Sequence, residues 1–538
     1  MIRLKFEIGL FDEPFGDVEL AVLNNGSEKH RELALETARQ SLVLLKNENN
    51  TLPLDAKKVK KLLVVGARAE EVDLGGYSGT PKKLVSILEG LEHALPGTEV
   101  VFHPGVQSAP TPFMYMPKSM INEGLGFEAK FYENGELSTP SFTTHLEILR
   151  VRRFILRNHN YPKTVFSSEI SGSFVSDQNR DAKLEIEATG EVHVFVNGEE
   201  ILNNVGTIGE KDTRSDANFG ELSGSIDQGL PKYSASYYFE KGSEYSIDVK
   251  WTNSDSDPTL FLRWDQRYGL EETIAEAVDL AKSSDAVVMV PSGIFEGEFQ
   301  DRPNLDLPDE EEALIHALAD SGTLLSVVLV NGSAITMMDW ESRVLAILES
   351  WYSGQEGGNA IAEVLIGDYN PGGKLTITFP KYSWQCPLYY NYHPIGRSRG
   401  YQGPEKGKSL FPFGHGLSYT NFEYRDLSFS SKKINLDEGI DVSFKVKNTG
   451  RVKGDEVAQL YIWDEIASVV RPNKELKGFQ RVTLEPGQEK LVTLHLSPEE
   501  LSLWDREMNF KMEAGWTTVL VGSSSEDIRL RDRFEIVP

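Results

Sequence analysis

Cysteine is almost absent from this sequence, since Cys386 is the only one among 538 residues. An intrachain disulfide is therefore excluded, and a cysteine-based metal cluster is not expected. The ten histidines are scattered without the spacing of metal ligands. No run approaches the roughly 18 apolar residues of a membrane-spanning helix. The amphipathic residues 1–6 do not resemble a signal peptide.

Positive charge is also scarce, with 55 Lys and Arg against 82 Asp and Glu and a formal net charge of −27. A polyanion would be repelled by this field, so neither nucleic acid nor an anionic membrane is expected as a partner. A neutral ligand such as a sugar is compatible with the charge. Acidity alone does not identify a ligand, because it also serves solubility.

The first part of the chain has an α/β pattern. A 3.6-residue apolar rhythm predicts a helix from about residue 28 to residue 46. Residues 62–65 form a continuous apolar run that is typical of a buried parallel strand. A helix at 83–94 and a strand at 99–102 follow. The same rhythm resumes near residue 270, with strands at 286–290, 325–330 and 344–348.

Two stretches instead alternate between apolar and polar residues, which predicts all-β structure. One occupies residues 119–266 and includes the hairpin signal Asn197-Gly198. Because it interrupts the α/β pattern, we interpret it as an insertion. The other begins near residue 421 and predicts a sandwich of about seven strands.

The loop after the strand that ends at Val290 is the strongest candidate for a catalytic site. It carries Glu296, Glu298, Asp301 and Arg302. Ligands of open α/β sheets collect beyond the carboxyl ends of the strands. A carboxylic acid next to phenylalanine can acquire the raised pKa that a general acid needs, and an Asp301–Arg302 ion pair would anchor the loop. The alternative is a solvated acidic turn, which is common in so acidic a chain.

Five stretches resemble segments of glycoside hydrolase family 3, and they occur in that family's order. Residues 293–308, Gly-x-Phe-Glu-Gly-Glu-Phe-Gln-Asp-Arg followed by Leu-x-Leu-Pro, resemble its acid/base loop. Residues 2–12 resemble the end of its TIM barrel, and residues 30–54 resemble an interdomain helix and linker. Residues 353–375 resemble a signature of its second domain, and residues 411–420 resemble the entry to its fibronectin type III-like domain.

The resemblance implies roles for three residues. Glu298, the first residue of the family's Glu-x-x-Asp-Arg pattern, would be the general acid/base. Glu296 is the alternative, with loop support or sugar contact as its other role. Tyr77, within Gly75-Gly76-Tyr77-Ser78-Gly79, would lie near the sugar, or it is a half-buried turn residue.

The resemblance also implies a multidomain fold of α/β and all-β parts. Residues 1–25 would be the end of a TIM-barrel domain and a linker. Residues 26–118 and 267–420 would form an α/β sandwich domain, interrupted at 119–266 by a protective-antigen-type β-barrel. Residues 421–538 would form a fibronectin type III-like β-sandwich.

A retaining glycosidase needs a second carboxylate as nucleophile. In this family it is an Asp in a Ser-Asp-Trp-like motif of the TIM barrel. Met338-Asp339-Trp340 lacks the serine and follows the acid/base loop, so Asp339 is interpreted as structural. The sequence contains no series of eight βα units. Three explanations remain: a split or processed enzyme with its barrel on a separate chain, a truncation, or a non-catalytic relic. The apolar residues 1–11 favour the first two.

The expected function is therefore part of a retaining, exo-acting β-glycosidase, with β-glucosides the first substrate class and β-xylosides the second. The alternative is a non-catalytic carbohydrate-binding or scaffold protein. The expected partners are a β-linked oligosaccharide or glucoside and the TIM-barrel domain, and a homo-oligomer is left open. No metal or organic cofactor is implied. The family resemblance favours a periplasmic or secreted location.

Overall fold

A computed structural model describes most of the chain, and the described residues are 2–72, 74, 78, 81–106, 113–114, 116, 120–133, 139–146, 148–152, 166–176, 179–205, 208–212, 230–253, 258–265, 270–292, 302, 304–393 and 408–538. The chain forms two compact units. The first contains Met1–Gly105 and Ile274–Pro538, and the second contains Val106–Thr273. Among the described residues, no helix combines the length and apolarity required to span a membrane.

The described helices are short and belong mostly to the first unit. In chain order they are α1 (Ile2–Glu7), α2 (Val18–Asn24), α3 (Glu28–Ser41), α4 (Ile87–Ala94), α5 (Leu270–Lys282), α6 (Asp309–Asp320), α7 (Gly357–Ile366) and α8 (Pro498–Leu501). Helices α1 and α2 bury no side chain, although they carry several large apolar residues.

The α/β part of the first unit is built on one six-stranded sheet. Its first three strands are β1 (Val43–Asn47), β2 (Lys61–Val65) and β3 (Glu99–His103). The second unit intervenes with twelve described strands. They are β4 (Phe113–Met114), β5 (Phe127–Glu133), β6 (Phe142–Leu146), β7 (Arg150–Arg152), β8 (Phe166–Val175), β9 (Arg180–Ala188), β10 (Glu191–Val196), β11 (Glu199–Asn203), β12 (Glu210–Asp212), β13 (Lys232–Phe239), β14 (Glu244–Asn253) and β15 (Thr259–Asp265).

The sheet is completed by β16 (Ala286–Met289), β17 (Leu324–Leu329) and β18 (Ala346–Glu349), in the order β1-β18-β17-β16-β2-β3. Five strands are parallel, and β1 joins β18 antiparallel at one edge. Strands β2 and β16 are buried almost completely, because helices cover both faces of such a sheet. The predicted strands at 62–65, 99–102 and 286–290 are confirmed.

The predicted helix over residues 28–46 is wrong in its last five residues. Helix α3 ends at Ser41, and residues 43–47 form β1. Leu44 pairs with Leu348 of β18, and both of its neighbours are fully buried. A helix would bury one face of this segment, whereas a strand at the edge of the covered sheet buries both. Tertiary burial therefore overrides the helical rhythm.

Helices α4 and α7 touch backbone to backbone. A Cβ atom on Gly358 would lie 2.0 Å from the Ser86 carbonyl oxygen, and one on Gly90 would lie 2.3 Å from the Gly358 carbonyl oxygen. Gly358 is thus needed for a close helix contact. It lies within the first turn of α7.

The second unit consists of two facing antiparallel sheets, ordered β11-β10-β14-β8-β5-β6 and β12-β13-β9-β15-β4, with β7 also pairing with β15. A single core rich in aromatic rings fills the space between them. Trp251, for example, meets Phe166 edge to face with ring centroids 5.0 Å apart. The predicted insertion begins at residue 119, whereas β4 precedes that position and belongs to this compact unit.

The C-terminal β-sandwich contains ten described strands. They are β19 (Phe422–Phe429), β20 (Lys433–Asn435), β21 (Ile440–Asn448), β22 (Gly454–Asp464), β23 (Glu475–Leu484), β24 (Glu489–Leu496), β25 (Leu503–Trp504), β26 (Phe510–Lys511), β27 (Gly515–Gly522) and β28 (Ile528–Val537). Its sheets are β19-β21-β24 and β20-β28-β27-β22-β23, and β25 and β26 form a separate hairpin. Gln459 Nε2 donates to the Gly414 carbonyl oxygen at 3.0 Å and ties the sandwich to the α/β part.

Candidate active site

The strand order places a crevice between β2 and β16. From β2 the chain continues to its neighbour β3, and from β16 it continues to β17 on the opposite side. Connections that leave two adjacent parallel strands in opposite directions open a cleft at the carboxyl edge, where ligands of such sheets bind. Val65 and Met289 stand side by side there. The loop that carries the predicted acid/base therefore starts at the switch point of the sheet.

The backbones that follow β2 and β16 lie in close contact at the switch point. Gly66 follows β2 with a φ of 114°, and a Cβ atom there would lie 1.9 Å from the Val290 carbonyl oxygen. No residue with a side chain fits without displacing the backbone. The two strand ends are therefore held against each other where the acid/base loop begins.

The three predicted site residues, Glu298, Glu296 and Tyr77, lie outside the described residues, as does Asp301. Their roles stay predictions. The structure does describe the chain on both sides of the loop, at Ser292 and at Arg302.

Two charged side chains hold the start of the loop. The Ser292 backbone N–H donates to Glu311 Oε1 at 3.0 Å, and Arg68 Nε donates to the Ser292 carbonyl oxygen at 2.7 Å. Glu311 lies in the first turn of α6 and is only 1% exposed, and Arg68 follows β2. Charge-assisted hydrogen bonds of this kind are stronger than neutral ones. They fix the backbone at the residue that precedes the loop.

The other end of the loop is held by the connection after β17. Arg302 Nη1 donates to Ser333 Oγ at 2.5 Å. A few residues on, the Leu305 N–H donates to Ser383 Oγ at 2.9 Å, and the Asp306 carboxylate accepts from the hydroxyls of Thr336 and Ser383. The backbone is thus anchored on both sides of the predicted acid/base.

A strained turn follows β18 at the same edge of the sheet. Trp351 has a φ of 56°, which a bulky side chain rarely adopts. Its N–H donates to Glu349 Oε1 at 2.9 Å, and Asn331 Nδ2 donates to Glu349 Oε2 at 3.3 Å. Strain of this kind persists where the surroundings fix the backbone, and it is frequent at functional sites.

Sequence reasoning missed the buried carboxylates of this edge. Glu311, Glu349 and Glu356 are all buried. Glu356 accepts from Arg31 Nε at 2.6 Å and so joins α3 to the start of α7. Nothing in so acidic a sequence distinguishes these residues, although Glu356 lies within the quoted 353–375 stretch.

Glu312 is a further carboxyl group of this part of the chain, and its pKa is raised. Burial first, and then the charges of Asp339, Asp306 and Asp309, raise the pKa of Glu312 to about 7. Asp339, interpreted from the sequence as structural, is exposed. The shift arises from packing and could not be read from the sequence.

The described part of the carboxyl edge encloses a cavity of only about 30 Å³, lined by Arg68, Val85, Ser350, Ser353 and their neighbours. That volume suits one or two water molecules and is too small for a sugar ring. A sugar site at this edge needs additional walls.

Known proteins match the chain over nearly its whole length. Residues 42–419 match the glycosyl hydrolase family 3 C-terminal domain, and residues 456–525 match a fibronectin type III-like domain. The chain belongs to glycoside hydrolase family 3. It corresponds to the C-terminal portion of β-glucosidase-type members, and the predicted fibronectin type III-like domain is confirmed.

Family 3 relatives include enzymes named for two sugars. A β-xylosidase of Formosa agariphila is 29% identical over 98% of this chain and 53% of its own length. A periplasmic β-glucosidase of Salmonella typhimurium is 40% identical over 49% of this chain and 36% of its own. The crystal structure of a Kluyveromyces marxianus β-glucosidase with glucose superposes with a TM-score of 0.78 and 29% identity, covering 96% of this chain and 63% of that one. The chain spans 53–63% of the length of the first curated relatives that it matches.

Proposed function

We propose that this chain supplies the general acid/base of a retaining, exo-acting β-glycosidase, and that Glu298 is that residue. The observation that carries the proposal is the anchoring of both ends of the 293–301 loop at the sheet's switch point, by Arg68 and Glu311 at Ser292 and by Ser333 at Arg302. A general acid must be held within hydrogen-bond reach of the glycosidic oxygen, and a loop with anchored ends provides that restraint.

In the proposed mechanism, Glu298 protonates the glycosidic oxygen as the bond to the leaving group breaks. The nucleophilic aspartate attacks the anomeric carbon and forms a glycosyl-enzyme. Glu298, now a carboxylate, removes a proton from water, which releases the sugar with retained configuration. The two carboxyl groups must lie about 5–5.5 Å apart for this chemistry.

The nucleophile would come from a TIM-barrel domain, on the same polypeptide or on a partner chain. Two features support this. The described residues contain one open six-stranded sheet in their α/β part, not a closed barrel of eight parallel strands. The first 24 residues also expose Leu4, Phe6, Phe11 and Phe15, which a docked domain would cover. The chain by itself would then be inactive.

β-Glucosides are the proposed first substrate class and β-xylosides the second, because relatives with both names match the chain. Tyr77 is proposed as a sugar contact and Glu296 as the reserve acid. The protective-antigen-type identity of the second unit, and a role for it at the mouth of the site, stay predictions from the family resemblance.

The test is Glu298→Gln in the enzyme reconstituted with its barrel polypeptide. Activity on cellobiose should fall about 10²–10⁴-fold, the usual contribution of a general acid. An aryl glucoside with a good leaving group needs less protonation and should lose much less. Azide should restore turnover in Glu298→Ala, because it replaces water without needing a base.

Glu296→Gln is the matched control, two residues away with the same change of charge. If Glu296→Gln shows the selective loss and Glu298→Gln does not, the acid is Glu296. If both variants lose little activity, and equally little on the two substrates, neither residue is the acid. A reconstituted enzyme without hydrolytic activity would favour a carbohydrate-binding or scaffold protein instead.

A further inference from the structure

A second concave site lies where the segment after α7 meets the C-terminal β-sandwich. We call it the aromatic groove and define it by Tyr389, Tyr390, Tyr392, Asn473, Lys474 and Ser525. Its enclosed part has a volume of only about 50 Å³, so a larger ligand would lie over the groove and not inside it. Among the described residues, none of the 353–375 stretch lines it.

The walls of the aromatic groove are held in place. Tyr390 stacks on Phe413 with ring centroids 4.3 Å apart, and its hydroxyl accepts from the Leu476 N–H at 3.2 Å. The Asn473 N–H donates to the Tyr392 carbonyl oxygen at 3.1 Å. Both sides of the groove are thus joined by hydrogen bonds, so the site is largely formed before any ligand arrives.

Two aromatic rings of the groove remain open to solvent. Tyr389 is 63% exposed and Tyr392 is 53% exposed. Large side chains on short, ordered segments usually pack against the core, since burial of an aromatic ring is strongly favourable. Two exposed rings beside one groove therefore offer flat apolar faces to a ligand.

The floor of the groove carries polar atoms that lack partners. Within the described part of the chain, Ser525 Oγ, Ser409 Oγ and Asn473 Oδ1 are buried and make no hydrogen bond. Ser525 is only 1% exposed, while its backbone N–H and carbonyl oxygen are both satisfied, by Phe413 and by Lys474. Buried polar atoms in native proteins are almost always paired, so these three atoms take their partners from water or from a ligand with hydroxyl groups.

This combination matches the chemistry of sugars. A pyranose ring presents an apolar C–H face that stacks on an aromatic ring, and its hydroxyl rim both donates and accepts hydrogen bonds. An anionic ligand is disfavoured by the net charge of −27 and by Glu526 at the groove. A purely apolar ligand would leave the floor unpaired.

We propose that the aromatic groove is a further binding site for a β-linked glycan chain, with Tyr389 and Tyr392 as stacking platforms and Asn473 and Ser525 as hydrogen-bonding partners. The choice of β-linked glycans rests on the proposed glycosidase function. Such a site would retain a polymer on the protein while one of its ends is processed elsewhere.

The test is affinity electrophoresis of the full 538-residue chain through gels that contain xylan, mixed-linkage β-glucan or, as an α-linked control, dextran. The wild-type chain should be retarded by xylan or by β-glucan and not by dextran. The double variant Tyr389→Ala/Tyr392→Ala should bind at least tenfold more weakly. Trp504→Ala removes a comparably exposed ring, 55% exposed on the β25–β26 hairpin, and should bind as the wild type does.

Ser525→Ala provides a second, milder test that keeps the fold. It removes an unpaired hydroxyl, so thermal stability should not fall, whereas glycan affinity should drop several-fold. The proposal is overturned if neither β-linked glycan retards the wild type, if dextran retards it equally, or if the double tyrosine variant migrates as the wild type does.

The two proposals fail separately. Glu298→Gln should leave retardation in the gels unchanged while it lowers hydrolysis by the reconstituted enzyme. Normal hydrolysis by Glu298→Gln together with groove-dependent retardation would reject the catalytic role alone. Lost hydrolysis together with no retardation of any chain would reject the groove alone.

Discussion

The segments that leave the sheet after β16 and after β18 differ in where their hydrogen-bonding partners lie. After β18 two bonds lie within the turn, since Glu349 accepts from the Trp351 N–H and Ser353 Oγ donates to the Ser350 carbonyl oxygen at 2.8 Å, while Asn331 and Leu329 near the end of β17 supply further partners. After β16 the partners are remote: Arg68 lies 224 residues before Ser292, and Glu311 lies 19 residues after it.

The difference separates two uses of a carboxylate. Glu349 is fully buried and serves the strained turn that contains it. Glu311 is equally buried, yet it serves the entrance to a neighbouring loop that carries the predicted acid. Removing Glu349 should therefore destabilise the fold, and removing Glu311 should disturb the position of the acid/base loop. Two predictions test this contrast, and a third concerns Glu312, the neighbour of Glu311.

Glu349→Ala should cause the largest change in stability, lowering the free energy of unfolding by roughly 3 kcal/mol. It removes the side-chain acceptor of the Trp351 N–H and one of the two acceptors of the Asn331 amide, which keeps the Ser333 carbonyl oxygen, and it opens a cavity. Urea unfolding monitored by tryptophan fluorescence measures the loss. Glu349→Gln keeps one carbonyl acceptor and should lose less than half as much. Equal losses in the two variants would contradict the assigned role.

Glu311→Ala should act mainly on catalysis, lowering kcat of the reconstituted enzyme about 30-fold, or about 2 kcal/mol, with KM little changed. The reason is that the Ser292 N–H loses the acceptor that fixes the loop entrance. A glutamate-specific protease should also cut the isolated chain faster after Glu296 and Glu298. Glu311→Gln retains an acceptor and should restore most activity. If Glu311→Ala lost as much stability as Glu349→Ala, the two carboxylates would not differ in role.

Glu312→Gln should have the smallest effect, visible only as a changed pH dependence of stability. The pKa of about 7 in the folded chain exceeds the usual 4.5, so the folded state binds more protons between these values. Stability therefore falls as pH rises from 4.5 through 7. After allowance for solvent screening, the change is about 1 kcal/mol. The variant should remove that slope, and thermal unfolding at pH 5 and pH 8 measures it. If the dependence of stability on pH is unchanged in the variant, other groups cause that dependence.

Continuous apolar runs predicted the parallel strands correctly, because a strand covered on both faces has no polar side to alternate. Residues 62–65 and 286–290 are examples. The same rule failed at residues 43–47, where a short apolar run continued a helical rhythm. Only its pairing with β18 distinguishes the strand, and that partner lies about 300 residues away in the chain.

The candidate site likewise has a part that the sequence predicted and a part that only the structure shows. The motif from Gly293 to Pro308, together with four other stretches in the family's order, predicted Glu298 and suggested the family. Arg68, Glu311 and Ser333, which hold that loop, could not be predicted, because each is an ordinary polar residue in its own segment. They matter only through the positions that the sheet gives them.

What the sequence determined by itself was therefore local: the buried strands, the alternating β stretches and the spacing of the acid/base motif, each of which depends on neighbours a few residues apart. The tertiary structure decided which strand follows which in the sheet, and hence that β2 and β16 form the switch point. It also decided which carboxylates are anchors, since hydrogen bonding and burial depend on distances in space that no local pattern encodes.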